Sequence, residues 1–277
     1  IENNKINVKA QSGWVNQKEQ KAFINKKVQI TNLDNNSILH ADTCYLFNEM
    51  NHSISYGNTL LSIPLDKDTL YLTADTLLQK KRAEGNLLEA YPRVHFKSIN
   101  MVGFCDSLSY STKEENLFLN KEPVIWLDQF QLTSDSIRIL LNKNRIKMAF
   151  LNKSAFIASE FDSNSFNQIS GENMKAYFHE NKLSNIEVIG NGESIYYVED
   201  EKKNEAVGVN KIICSNMNII IKKRQIENIN FYKEPDAILY PISRINLNDL
   251  LLKGFTWKSK SDIENIIKGK MNKYNLL

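Results

Sequence analysis

Ala41-Asp42-Thr43-Cys44-Tyr45, Ala74-Asp75-Thr76-Leu77-Leu78, Cys105-Asp106-Ser107-Leu108-Ser109 and Ser134-Asp135-Ser136-Ile137-Arg138 share one pattern: a small residue, an aspartate, a hydroxyl residue, then strand-forming side chains. The aspartates lie 33, 31 and 29 residues apart. A steady period of that length marks a chain assembled from supersecondary units that bury their apolar faces by stacking. Weaker copies at Ala10-Gln11-Ser12-Gly13-Trp14, Glu172-Asn173-Met174 and Ser215-Asn216-Met217 extend the series to about seven units.

A second signature recurs in the other half of each unit, at Tyr56-Gly57-Asn58, Glu84-Gly85-Asn86, Leu119-Asn120-Lys121, Leu151-Asn152-Lys153 and Ile189-Gly190-Asn191. These are turn residues, with Gly and Asn tolerating left-handed backbone. Between the marks lie short runs rich in Ile, Val, Leu, Phe and Tyr, such as Pro123-Val124-Ile125-Trp126 and Ser194-Ile195-Tyr196-Tyr197, of strand length and partial alternation. Each unit therefore reads strand, turn, strand. The fold class that follows is all-β, an elongated, repeat-built antiparallel structure in which a stacked repeat fits better than a barrel or sandwich, with residues 1–257 as a single body. The insertion Asp162 to Gly171 and the charged stretch Glu199 to Glu205 read as surface loops. Ser261-Asp262-Ile263-Glu264 has capping-box form ahead of Ile266 and Ile267, which predicts a short helical cap or tail within 258–277.

Composition narrows the function. Of the 277 residues 42% are hydrophobic and 24% charged, as in folded globular chains. The net charge of +3 comes from dispersed lysines, so no basic footprint for nucleic acid is present. Apolar runs are far shorter than the roughly 20 residues of a membrane-spanning helix. The sequence opens at Ile1 without a leader-like segment, so a signal peptide is expected to have been removed. Cys44, Cys105 and Cys214 are odd in number and widely spaced, and read as small buried hydrophobes.

Chemistry is sparse. The repeated aspartate suggests a column of cation ligands, but one carboxylate per unit among strand residues fits better a side chain that bonds turn or strand-end backbone. His40, His52, His95 and His179 are far apart and lack ligand spacing, so no metal is expected. Nucleophile and phosphate-cradling motifs are missing, and the expectation is a protein that is not an enzyme and needs no cofactor. The phase of the aspartates places Leu77, Leu108, Ile137 and Ile139 on one face, the expected interior. Aromatic side chains, among them Phe104, Tyr110, Trp126, Phe150, Phe156, Tyr177, Phe178 and Tyr197, are expected to fill the space between two sheets or to line an opening in it.

The small-Asp-Thr/Ser strand starts at Asp42, Asp75, Asp106 and Asp135, the turns at Gly57, Gly85 and Gly190, and the run Ile189 to Tyr197 with Gly208-Val209-Asn210-Lys211 resemble the OstA-like proteins of Bacteroidetes type. These belong with the periplasmic lipopolysaccharide-transport proteins and the N-terminal domain of the outer-membrane translocon. The resemblance spans roughly residues 5–257. It implies a jellyroll folded like a taco, located in the periplasm or on the periplasmic face of the outer membrane. Lipid A acyl chains would lie in its apolar trough, with Leu77, Phe104, Leu108, Tyr110, Ile137, Ile139 and Tyr177 as the expected lining. Related jellyrolls or further copies of the chain would join head to tail through edge strands. Two other readings stay open: a structural or interaction solenoid without lipid cargo, and a carbohydrate-active enzyme using paired carboxylates such as Asp106 and Asp135.

Overall fold

The computed structural model describes residues 6–47, 51–65, 67–99, 101–142, 145–200, 205–222, 225–233, 235–244 and 250–276. It is antiparallel β throughout, with one α-helix at the C-terminal end. The chain separates into two compact units, residues 1–121 with 259–277, and residues 122–258.

Thirteen strands form the first unit among its described residues: β1 (Ile6–Lys9), β2 (Ser12–Asn16), β3 (Lys21–Asn32), β4 (Ile38–Phe47), β5 (His52–Tyr56), β6 (Leu60–Pro64), β7 (Thr69–Thr73), β8 (Thr76–Arg82), β9 (Gly85–Tyr91), β10 (Val94–Lys97), β11 (Met101–Cys105), β12 (Ser107–Ser111) and β13 (Asn116–Asn120). They pair as two sheets. The front sheet runs β2, the first half of β3, the second half of β4, β5, β8, β9, β12 and β13. The back sheet runs β1, the second half of β3, the first half of β4, β6, β7, β10 and β11.

The second unit repeats this plan with longer strands: β14 (Val124–Leu127), β15 (Phe130–Thr133), β16 (Ser136–Asn142), β17 (Arg145–Asp162), β18 (Ser165–His179), β19 (Lys182–Asp200), β20 (Glu205–Lys222), β21 (Gln225–Tyr232) and β22 (Asp236–Pro241). Each of β17 to β20 is shared, with one half in either sheet. The presumed loop over Asp162 to Gly171 is a correction: only Ser163 and Asn164 turn, and β18 begins at Ser165. Of the stretch Glu199 to Glu205, residues 201–204 lie outside the described residues, and its flanks Glu199 and Glu205 are strand ends.

Within each unit the passages between sheets, among the described residues, lie along one edge. Back-to-front crossings fall at Gln11, Asp42, Asp75 and Asp106 in the first unit, and at Asp135, Glu172 and Ser215 in the second, the positions of the sequence repeat. Front-to-back crossings use left-handed residues: Lys26 and Lys27 (φ 63° and 53°), Gly57 and Asn58 (71° and 45°), Arg93 (53°), Lys153 and Ser154 (58° and 49°), Gly190 and Asn191 (79° and 50°), and Lys233 (62°). Such backbone costs an L-residue on the order of 1–2 kcal/mol. Asparagine side chains offset it by hydrogen bonding, from the same corner where Asn25 Oδ1 accepts from Lys26 N–H at 2.9 Å, and from the neighbouring corner where Asn173 Oδ1 accepts from Lys153 N–H at 3.1 Å and Asn216 Oδ1 from Gly190 N–H at 2.9 Å. Gly85-Asn86 is different in kind. It closes the β8–β9 hairpin, and its glycine is required because a Cβ there would lie 2.9 Å from Lys113 N.

At the opposite edge, successive strands are joined within one sheet. The inward rows between the sheets are dry: Ile24, Cys44, Ser55, Leu77, Ala90, Leu108 and Leu119 on the front sheet face Ile30, Leu39, Leu61, Leu72 and Phe96 on the back sheet, all buried. In the second unit Ile137, Leu151, Met174, Val188 and Met217 form the matching front row, and Leu132, Ile157, Ile169 and Ile212 the back row. A Cβ added to Gly192 would lie 2.9 Å from Met217 Cε, so the faces meet there at van der Waals contact.

The outward face of each back sheet is covered too. In the first unit helix α1 (Lys260–Lys273) packs on β7, β10 and β11. Its N-cap is Ser259, whose Oγ accepts from Asp262 N–H at 3.3 Å, so the cap sits two residues before the Ser261 the sequence suggests. In the second unit the segment Leu250 to Lys258 lies across β15, β17, β18, β19 and β20, burying Leu250 and Leu252 against Phe156, Ala158, Ile195, Tyr197 and Val209. Phe156 and Tyr197 thus sit under this strap rather than between the sheets.

Leu77 is 0% exposed and Tyr91, on the outward face, 42%. Leu77→Ala is expected to lower unfolding stability by about 2–5 kcal/mol in urea denaturation, and Tyr91→Ala by less than about 0.5 kcal/mol.

Candidate functional site

The space between the sheets is the candidate site. Leu77 and Leu108 share one inward row of the first unit, two residues past their crossings, and Ile137 and Ile139 take the same phase in the second; all four are buried. Tyr110 shares the inward face of Leu108 but lies further from the corner edge, with Leu88 and Gln79, where burial is only partial. Burial, then the Glu115 charge, raises its phenol pKa. From crossing to free edge, the interior therefore grades from sealed to partly accessible.

Two of the seven expected lining residues face elsewhere. Phe104 pairs with His95 across β10 and β11, on the face that carries Lys97 and its 3.1 Å ion pair to Glu264 of α1. Tyr177 pairs with Met148 and Asn185 on the outward face of the front sheet, in the row next to Phe150 and Lys175. Partial burial first, then Glu187, raises its pKa. In both cases strand parity decides: a shift of one residue moves a side chain to the other face.

The corner carboxylates are occupied by the fold itself. Asp42 accepts from Asn58 Nδ2 at 2.6 Å and pairs with Lys273 at 3.2 Å; Asp75 pairs with Arg93 at 2.5 Å and Asp106 with Lys121 at 2.8 Å. Burial works to raise the Asp42 pKa, but the bonds from Asn58 and Lys273 and the charges of Lys273 and Lys270 hold it below the ordinary carboxylate value. No group of three or more His, Cys, Asp or Glu among the described residues could hold a metal ion. The three thiols are buried: burial raises Cys44 to about 11 and Cys105 to about 12, and it raises Cys214 as well. Among the described residues no helix is long and apolar enough to cross a membrane.

Two features escaped the sequence reading. Buried Gln131 and Gln168 clasp the strap as a strand would. Gln168 Nε2 donates to Leu250 O at 2.8 Å while its Oε1 accepts from Leu252 N–H at 2.9 Å. Gln131 does the same to Thr256 O at 2.5 Å and Lys258 N–H at 2.8 Å. A buried glutamine in an outward strand position was the available signal. The other feature is the end of α1, where Tyr274 stacks on His40 at 4.6 Å and donates to Asn58 O at 2.7 Å.

No protein-family model matches the sequence, and no curated protein matches it. Among solved structures the chain is similar to LptH, the LptA-homologous periplasmic component of the lipopolysaccharide transport device of Pseudomonas aeruginosa. The identity is 14% and the TM-score 0.24, over 51% of this chain and 80% of that one. The likeness is slight and carries no argument about function.

Replacing Gln168 by Met keeps the volume but leaves the Leu250 carbonyl and Leu252 amide without their partner, at a cost of about 1–3 kcal/mol. Hydrogen exchange at the Leu252 amide should accelerate by at least ten-fold, with strands β3 and β4 unchanged. Two histidines face α1, His40 under Tyr274 and His95 beside Lys97, and burial lowers the pKa of both. The unfolded chain then takes up the proton first, so their contribution is fully present above the ordinary histidine pKa of about 6.5 and is lost as pH falls below it. Exchange protection of α1 should drop between pH 7.5 and 5, with His40→Phe shrinking the drop and His40→Phe with His95→Phe flattening it.

Proposed function

We propose that this chain is a periplasmic lipopolysaccharide-binding transport component that shields lipid A acyl chains between its two sheets and joins related jellyrolls end to end. The observation that carries the reading is the one-sided hinge: within each unit the passages between sheets, among the described residues, lie on one edge, which leaves the inward faces able to part towards the other. Acyl chains would enter at the accessible end of the interior, beside Tyr110, Leu88 and Gln79, and displace side chains packed against side chains. Each buried methylene contributes about 0.8 kcal/mol. The role is passive, with no bond made or broken. The choice of lipid comes from the sequence resemblance to OstA-like proteins.

End-to-end joining draws support from the terminal strands. Strand β22 pairs with β20 alone among the described residues, and Ile238 and Leu239 on it are 46% and 65% exposed. An uncovered apolar edge strand is a template for a further strand.

A specific observation favours the second reading, a scaffold without cargo: the side chains of the rows nearest the corners are packed and buried. One experiment separates the two. A photo-crosslinking residue at Tyr110 or at Leu108 is exposed to lipopolysaccharide, with exposed Lys113 as the control. A carrier gives attachment at Tyr110 first and at Leu108 on opening, with none at Lys113. Absence of attachment at both inward positions in the folded protein would establish the scaffold.

A further inference from the structure

The interior of the first unit ends at the free edge between two lips, and an ion pair joins them. On the front-sheet lip, β8 points every second side chain inward from its crossing at Asp75. Leu77 is buried, Gln79 is partly buried, and Lys81 reaches the edge opposite Asn86. On the back-sheet lip, the turn between β3 and β4 carries Asp34; the Thr31–Ile38 pairing and a 2.9 Å bond from Asn32 N–H to Ser37 O close that turn. Lys81 Nζ lies 2.9 Å from Asp34 Oδ2. Just behind the pair stand Gln79, Leu88 and Tyr110, where burial of the interior is partial.

Each end of the pair is held by its own sheet. Lys81 N–H donates to Asn51 O at 2.7 Å on the front lip, and Asp34 N–H donates to Asn32 Oδ1 at 2.9 Å on the back lip. Parting the lips therefore separates the two charges. Other ion pairs of this unit are placed differently. Lys113 and Glu84 join two hairpins of the front sheet, Lys21 and Glu19 lie within the β2–β3 hairpin, and Asp75–Arg93 and Asp106–Lys121 sit at the corners. These can stay intact while the free edge opens.

The side chains of Lys81 and Asp34 are 40% and 55% exposed, so water and salt screen their attraction and the pair adds little to folding. Placement gives it leverage. What attraction survives screening acts in full on the equilibrium between closed and parted lips, and it is weak enough to leave the parted state accessible.

We infer that Lys81 and Asp34 form a latch across the mouth of this interior, biasing the lips toward closure and yielding to competing ions. The inference rests on the proposed parting of the sheets and is independent of what enters between them.

The test places a cysteine behind the latch, Leu88→Cys, in the full chain and follows its labelling by a small maleimide; the unsubstituted chain, whose three thiols are buried, supplies the background. When reclosing outruns labelling, the rate follows the opening equilibrium. Lys81→Gln and Asp34→Asn are each expected to speed labelling by about two- to five-fold, the range of an exposed pair. Lys113→Gln, which breaks a pair within one sheet, leaves the rate unchanged. The reversed pair, Lys81→Asp with Asp34→Lys, brings it back toward the starting value. Raising sodium chloride from about 0.02 M to about 0.5 M speeds labelling with the latch present and not in Lys81→Gln. Equal rates with and without the latch overturn the inference, as does an equal gain in Lys113→Gln. Labelling no faster than background in every variant overturns it too, because the mouth then stays shut without the pair. The transport reading stands or falls separately: no lipopolysaccharide attachment at Tyr110 or Leu108, with this labelling pattern intact, sinks that reading and leaves the latch.

Discussion

A chain that folds two sheets against each other must turn from one to the other without leaving backbone groups unpaired, and within each unit the described turns all fall on the same side. Each turn costs conformational energy, and each is supported by its neighbours: Asp42 N–H donates to Gly57 O, Gly57 N–H to Asp75 O, and Asp75 N–H to Pro92 O. The corner edge is a hydrogen-bonded column in which every bend satisfies the next. Buried backbone polar groups left unpaired would cost more than the strained torsions do. The aspartates belong to this column as partners of Asn58, Arg93 and Lys121, which is why they recur without forming an ion site.

That constraint also explains what the sequence discloses. Corner residues are few in kind, so they recur at a visible period, and counting forward from them gives the inward phase of Leu77, Leu108, Ile137 and Ile139 correctly. Aromatic character alone does not give the phase: Phe104 is on a back-sheet strand, and Tyr177 is in the front sheet an odd number of residues past its crossing at Glu172, so parity turns both outward. Gly85 has the composition of a corner but sits in a hairpin, because close approach to Lys113 and left-handed turning both select glycine. The strap is illegible in a different way. Its clasp joins Gln168 to residues more than eighty positions away, and no local pattern encodes a partner at that distance. The helix was visible from its capping serine pattern, with the cap two residues early because Ser259 and Ser261 both satisfy it.

Covering matters as much as hinging. The back sheet of each unit is masked outside by a C-terminal element, α1 in the first and the strap in the second, whereas the front sheet of the first unit leaves Trp14, Tyr45 and Tyr56 exposed. A sheet sealed on both faces is stiff, since both sets of side chains must move for it to bend. Any parting of the interior is therefore expected to fall on the front sheet, whose outward face carries no such load.

The alternation of the corners sets a rule for how such a chain can grow. Front-to-back and back-to-front bends need different residues, left-handed in one direction and aspartate-like in the other, so neither bend can replace its neighbour. A single added traversal would deliver the next segment to the wrong sheet with every later side chain reversed. Lengthening must come in whole pairs of traversals, about thirty residues at a time, and that pair is the natural unit of duplication and loss in the ancestry of the gene. The longer strands of the second unit are the other permitted change, because they extend the sheets away from the corners and leave the order of bends untouched.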